Sequence, residues 1–287
     1  MQPRELADKI EGLIVAANEQ FAKAIIAVES KVYDDLVTVL RFVDIDNDGY
    51  IKQNAGNRQI LRAAQKQFDD TILNSGYQAA VERHLSVITK IDALNESYFE
   101  SISSAFKPNR VFIRSLQTNA IETVNQYILQ DGLAAQVKLP LNEILSQNIN
   151  SGGSFSGMLN QVRTFIKGNE KLDGRLTSYS RGIVRDTIFE YSRAYQQSIT
   201  ADLKLEWYFY SGGLMDKSRP FCIERSEKYF HQLEVESWAS LSWAGKNNLT
   251  TKSSIFILCG GHGCVHSLIP VHESSVPQED KDRFATN

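Results

Sequence analysis

Two short stretches late in the chain hold nearly all of its soft-metal and nucleophilic chemistry. All three cysteines (Cys222, Cys259, Cys264) and four of the five histidines (His231, His262, His266, His272) lie beyond residue 220. Cys222 closes the run Asp216-Lys217-Ser218-Arg219-Pro220-Phe221-Cys222, and the other cysteines sit in Cys259-Gly260-Gly261-His262-Gly263-Cys264-Val265-His266. Thiolate sulfur and imidazole nitrogen are the donors that tetrahedral zinc takes. Cys222, Cys264 and His266 are therefore candidate ligands of a structural zinc ion, with His262, Cys259 or His231 available as a fourth. The paired glycines Gly260 and Gly261 let the backbone turn tightly enough to aim a ligand. Paired C-x-x-C knuckles are missing, so two other readings stand beside zinc: buried small thiols with a hydrogen-bonded histidine, and a disulfide from Cys222 to Cys264.

The same residues could instead serve a reaction. Cys222 with His262 or His266 and Asp216 supplies the residue types of a thiol hydrolase, in which a carboxylate orients the imidazole that takes the thiol proton. No nucleophile elbow or papain-type signature surrounds Cys222, however. A metal-dependent nuclease would want a basic surface, yet 31 Lys and Arg stand against 34 Asp and Glu, a net charge of -3. The chain therefore reads as non-enzymatic, with a Cys/His or metal-dependent hydrolase (protease or nuclease) as the alternative. Asp186, Glu190 and Arg193, at helical charge-pair spacing, read as a solvated helix face rather than an active site. Trp207, Tyr208, Phe209 and Tyr210 read as a strand supplying core on one side rather than as a base-stacking platform.

The elements that must position these motifs are mostly helical. Leu6, Ile10, Leu13, Ile14, Ala17, Phe21, Ile25, Val28, Val32, Leu36 and Leu40 recur at steps of three and four. That spacing predicts one amphipathic helix of roughly 36 residues, on the order of 54 Å long, packed in a bundle or along a partner. It should stop before Asp44-Ile45-Asp46-Asn47-Asp48-Gly49-Tyr50-Ile51. Asp44, Asp46, Asp48 and Gly49 match the start of a calcium loop, but Ala55 stands where the bidentate glutamate belongs, so a plain turn between helices is expected. Further helices are expected over 57–74, 77–106, 110–128 and 141–147, with breaks at Gly76, Pro108 and Pro140. Gly152 and Gly153 form a joint, with Ser154 as N-cap of a helix to 166. A helix over 175–203 leads to strands at 205–210 and 254–258, joined by short helices and loops.

At 287 residues, 42% hydrophobic and 23% charged, the chain has room for two globular domains. The expected fold class is mainly α: an elongated helical domain over 1–150, a long-helix bundle, followed by a smaller α+β domain over 151–287. The first apolar run, 13–17, is too short for a signal-peptide core, and nothing approaches the roughly 20 apolar residues that cross a bilayer. A soluble protein with no membrane partner is expected.

The order of these pieces resembles a known family. The Gly-rich joint, the helix with Ile183-Val184-Arg185-Asp186-Thr187 and Ser192-Arg193-Ala194, and the Trp207-Tyr208 strand come first. Asp216, Arg219 and Cys222 follow, then Gly260-Gly261, Cys264, His266 and Pro270-Val271. Together they look like the C-terminal domain of minor head proteins of tailed bacteriophages, the Mu-like head-morphogenesis family, over about residues 150 to 272. The helical first part is similar only in general plan, including the turn at Asp46 to Ile51. The resemblance implies a virion protein of the phage head, assembled in the host cytoplasm. Such a protein would act in capsid assembly or in DNA packaging or ejection at the portal vertex. Its implied partners are the portal protein, the major capsid protein or both, with contact to packaged DNA and to further copies of itself. The implied motif residues are Asp216, Arg219, Cys222, Gly260, Gly261, Cys264 and His266. Val265 replaces the arginine common in the family between the last cysteine and histidine, so no anion-binding role carries over to that position. A helical scaffold or adaptor outside any virus is the plainest alternative.

Overall fold

The regular apolar spacing after Leu6 does build one helix. In the computed structural model, which describes residues 1–286, α1 runs Pro3–Leu40, about 57 Å at the usual rise per residue. Leu6, Ile10, Ile14, Phe21, Ile25, Val28, Val32, Leu36 and Leu40 are all buried. On the outer side Glu5 pairs with Lys9 (2.6 Å) and Lys31 with Asp35 (2.9 Å) across one turn. The apolar stripe is thus covered by the chain itself.

Beyond it follow α2 (Ala55–Asn74), α3 (Tyr77–Leu85), α4 (Val87–Ile102), α5 (Arg110–Val124), the single turn α6 (Asp131–Leu133), α7 (Leu139–Ser151), α8 (Phe155–Lys167) and α9 (Arg175–Leu203). Short strands β1 (Gly168–Asn169) and β2 (Leu172–Asp173) pair antiparallel just before α9. The rest runs β3 (Trp207–Ser211), α10 (Pro220–Arg225), β4 (Lys228–His231), α11 (Gln232–Ser237), α12 (Ile255–Leu258), β5 (Ser267–Val271) and α13 (Gln278–Thr286). Helix makes up 69% and strand 8%, so the fold is mainly α with long N-terminal helices and a small sheet-bearing C-terminal region. No helix among the described residues is long and apolar enough to cross a membrane. Two compact units divide these elements, and neither is continuous in sequence: residues 18–84 with 123–184, and residues 1–17 with 85–122 and 185 onward. The expected boundary at 150/151 falls inside the former.

In the unit of residues 18–84 and 123–184, the loop after α1 is a turn held by its own side chains. Asp46 Oδ1 accepts the N–H groups of Asp48 (3.0 Å) and Tyr50 (2.9 Å). Asp44 gives its carboxylate to Lys52 (2.8 Å) and Asn54 (3.0 Å). Buried Asn57 accepts from Asp44 N–H (2.8 Å) and donates to the carbonyls of Asp44 (2.9 Å) and Lys52 (2.7 Å). Asp44 and Asp46 thus hold the turn expected between the two helices. Ser154 caps α8 as expected, accepting from Gly157 N–H at 3.4 Å.

Three helix boundaries differ from the expected ones. The stretch 77–106 is divided at Ser86 into α3 and α4. Pro140 breaks nothing; the helical run passes from Asp131 through it along α7, with the turn before it, Ala134–Lys138, widened. Past Val124 the helix widens, with Asn125–Leu129 and Ala134–Lys138 both π-helical around α6. Widening takes carbonyls out of the regular ladder. The hydroxyls of Tyr77 and Tyr179 supply donors there, to Ile128 O (2.9 Å) and Tyr127 O (2.7 Å). Gly132 lies so close to the Tyr127 carbonyl and the Tyr179 hydroxyl that a Cβ would overlap both. Buried Glu29 of α1 accepts from Thr177 N–H and Oγ1, each at 2.8 Å, and so caps the first turn of α9.

In the other unit, β3 is the middle strand of an antiparallel sheet of order β4-β3-β5, with Tyr208 opposite Phe230 on one side and Pro270 on the other. All of β3 is buried, so its aromatic run supplies core on both faces rather than one. Tyr208 and Tyr210 join Phe221, Phe230, Trp238 and Phe256, while Trp207 and Phe209 join Val271 and Val276. The strand expected over 254–258 is a correction: those residues form α12. An apolar run this short is ambiguous on periodicity alone. Thr251 and Ser254 decide it by bonding reciprocally, side chain to N–H, at 2.8 and 3.2 Å, which turns the chain into a helix. The third strand, β5, carries Pro270, which suits an edge because proline donates nothing to a ladder. Its carbonyl accepts the Tyr98 hydroxyl of α4 at 2.7 Å.

Candidate functional site

Pro220 starts α10 in a first turn that needs no proline N–H, and two residues on Cys222 points into the core. The second stretch leaves α12 through a tight turn, Gly261 N–H donating to Leu258 O at 2.9 Å. Cys259 occupies that turn with φ 48° and ψ -123°, a conformation that usually takes glycine. Cys264 and His266 then lead into β5. Through these elements the donor atoms of Cys222, Cys264 and His266 all come within 4.8 Å of one another, and all three residues are buried.

The cluster is tightly bounded. Cys264 Sγ lies 3.7 Å from His266 Nδ1 and accepts the Gly260 N–H at 3.3 Å. The Tyr210 hydroxyl donates to Cys222 Sγ at 3.4 Å, and the Tyr210 ring stacks on His266 with centroids 5.2 Å apart. A Cβ at position 260 would stand 2.6 Å from Cys222 Sγ and 2.9 Å from Cys264 Sγ, so only glycine fits over the two sulfurs. The Gly260 carbonyl accepts from Trp243 Nε1 (2.9 Å) and Arg219 Nη1 (3.1 Å), and the other Arg219 amine reaches the His262 carbonyl. Arg219 thus clamps the turn that carries Cys264. Phe221 stacks on Trp243 at 4.0 Å between centroids and meets Trp238 edge-on, closing the outer side.

Charge is arranged asymmetrically. The bond from Cys222 holds the Cys264 thiol well below the ordinary thiol range, with His266 and the Arg193 guanidinium acting the same way. Cys222, sharing its proton with Cys264 and buried, is pushed well up. Burial pushes Cys259 up to about 12 and Tyr210 well above the usual phenol range. The shared hydrogen bond thus moves the two thiols in opposite directions, down at Cys264 and up at Cys222.

Arg193 is the participant that charge-pair spacing misassigns. It is 3% exposed, not solvated, and donates to Ile257 O (3.0 Å) and Cys264 O (2.6 Å). The one sequence signal is its place in the Ser192-Arg193-Ala194 run of the resembled motif, because the helix itself carries polar residues on every side. Asp186 pairs with Arg185 at 2.8 Å, and Glu190 faces solvent. Several candidates stay outside the group of three. The His262 side chain is exposed, and Asp216 lies exposed in the loop after β3. His231, on β4, stacks on Phe284 at 4.1 Å. Cys259 is buried in the same core without joining the three donors, and all three thiols are free.

Chemically, two sulfurs and an imidazole at this spacing can hold a soft cation, or pack as a closed polar cluster. No protein-family model, curated protein or solved structure matches this chain.

Proposed function

We propose that this chain is a minor head protein of a tailed bacteriophage, a non-enzymatic component that acts in capsid assembly or in DNA packaging or ejection at the portal vertex. One observation carries the reading: of the resembled motif, Cys222, Cys264 and His266 form one buried cluster, Gly260 lies against both sulfurs, and Arg219 bonds the Gly260 carbonyl. Residues as far apart in sequence as Arg219 and His266 thus meet in one unit of the C-terminal fold. A hydrolase would need a thiolate that substrate can reach, whereas Cys222, the candidate nucleophile, is 2% exposed and Cys264 5%. The partners this reading assigns are the portal protein and the major capsid protein, with the chain residing in the virion and other copies or packaged DNA as further contacts.

The test is to read the genes flanking its own and to co-express the tagged chain with the portal and major capsid proteins that this reading requires there. Retention of the portal on the tagged chain, and presence of the chain in purified heads by mass spectrometry, are expected. Failure to retain either protein, together with absence from purified particles, sinks the proposal.

A further inference from the structure

We propose that Cys222, Cys264 and His266 bind one zinc ion, which fastens α10 to the turn that enters β5. The inference stands on the geometry of the cluster alone and does not rest on the phage reading. Zinc bonded to sulfur at about 2.3 Å and to nitrogen at about 2.0 Å, at tetrahedral angles, sets a sulfur-to-nitrogen edge of roughly 3.6 Å. Cys264 Sγ and His266 Nδ1 lie 3.7 Å apart, and Cys222 Sγ completes a triangle with no side above 4.8 Å. The sulfurs come from different elements, residues 222 and 264, so a shared ion is a crosslink and not a local loop.

Three surrounding features suit a metal better than packing alone. The imidazole of His266 is buried, and its Nδ1, the atom that would take the ion, has Cys264 Sγ as its one polar contact. A buried histidine normally finds a carbonyl or carboxylate for one ring nitrogen. The Gly260 N–H aimed at Cys264 Sγ is the backbone bond that orients a coordinating thiolate. The fourth corner is left to the Tyr210 hydroxyl, whose 3.4 Å from Cys222 Sγ is close to a tetrahedral sulfur-to-oxygen edge. On loading, two Zn–S bonds, one Zn–N bond and one Zn–O bond to the neutral Tyr210 hydroxyl form, any S–H bond present breaks with its proton passing to solvent, and zinc sheds its water ligands. Two thiolates then cancel the ion's two positive charges, leaving a neutral group in the core, which a buried site requires. Two soft sulfurs with one nitrogen select zinc over calcium, magnesium or manganese.

The experiment uses the full chain with any affinity tag removed, expressed in zinc-supplemented medium and dialysed against metal-free buffer. Elemental analysis is expected to give about one zinc per chain, and chelation to lower the melting temperature. The Cys222→Ser/Cys264→Ser double variant and His266→Gln should lose the metal, whereas Cys259→Ala and His262→Ala keep it. Because the ligand variants can fail to fold, cobalt exchange into the wild type is the independent readout. Tetrahedral d–d bands with thiolate-to-cobalt charge transfer are expected. Less than a tenth of an equivalent of zinc, zinc retained by the double variant, another metal in its place, a cobalt spectrum without thiolate charge transfer, or a Cys222 to Cys264 disulfide in the purified chain would each overturn the proposal.

Discussion

Gly260 has sulfur on the side where any other residue would carry its Cβ, 2.6 and 2.9 Å away. Gly260→Ala therefore has to push Cys222 or Cys264 out of place, and a loss of about 1–3 kcal/mol in denaturant unfolding is expected. A variant as stable as the wild type would mean that the turn opens freely. Glu29 offers a test with a pH axis. Burial raises its pKa above the ordinary 4.5, so the folded chain holds that proton where the unfolded chain has lost it. The stability from this group is complete below pH 4.5 and drains away as pH rises through the raised value. Melting temperatures of Glu29→Gln and wild type, compared from acid to neutral pH, should shift in favour of the variant as pH rises. A constant difference would contradict the assignment. Residue chemistry of this sort is only partly legible in sequence. Cys222, Cys264 and His266 stand out by type, since sulfur and imidazole have few other uses in so short a span. Arg193 and Glu29 do not, because a charge is buried only when distant segments bring it partners, here Cys264 O and Thr177 N–H.

At the scale of elements, the loop before α2 depends on one amide. Asn57 makes three hydrogen bonds to the backbone of Asp44 and Lys52. Asn57→Ala strands those groups and is expected to cost about 2–3 kcal/mol. Faster amide exchange at Asp44 and Lys52, with the helices still protected, would mark the damage as local. Calcium should leave the melting temperature unchanged, because Asp44 and Asp46 already spend their oxygens inside the loop. A rise with calcium would reverse that view. Long helices and their caps were readable because the period repeats over many turns and Ser154 and the Asp-Gly turn act locally. The exchange of 254–258 for 267–271 as sheet partner of β3 was not. Pro270 argues against a strand unless the edge position is known, and that position is fixed only by pairing with residues some 60 positions earlier.

Over the whole molecule, α1 and α9 each contribute residues to both compact units, α1 on either side of residue 17 and α9 on either side of residue 184. Unfolding one unit leaves part of each helix without its packing, and short helices are marginal alone. A single cooperative transition is therefore expected. All three tryptophans, Trp207, Trp238 and Trp243, lie beyond residue 184, so their fluorescence reports one unit while far-ultraviolet circular dichroism reports every helix. The two denaturation curves should superimpose; fluorescence changing at lower denaturant would show independent units. This organisation was hidden from sequence because it lies in long-range pairings, such as Tyr98 with Pro270 and Glu29 with Thr177.

The discontinuous unit also sets a timetable on the ribosome. Residues 18–84 and 123–184 have all emerged once the chain reaches residue 184. The stretches 1–17 and 85–122 must wait for the hundred or so residues that follow, roughly 5–20 s at ordinary elongation rates. For that interval Leu6, Ile10, Tyr98 and Phe99, all buried in the finished fold, face the cytosol of whatever cell makes the chain. A nascent polypeptide with that profile is a natural client for a holding chaperone, and the cysteine cluster is among the last features to take shape.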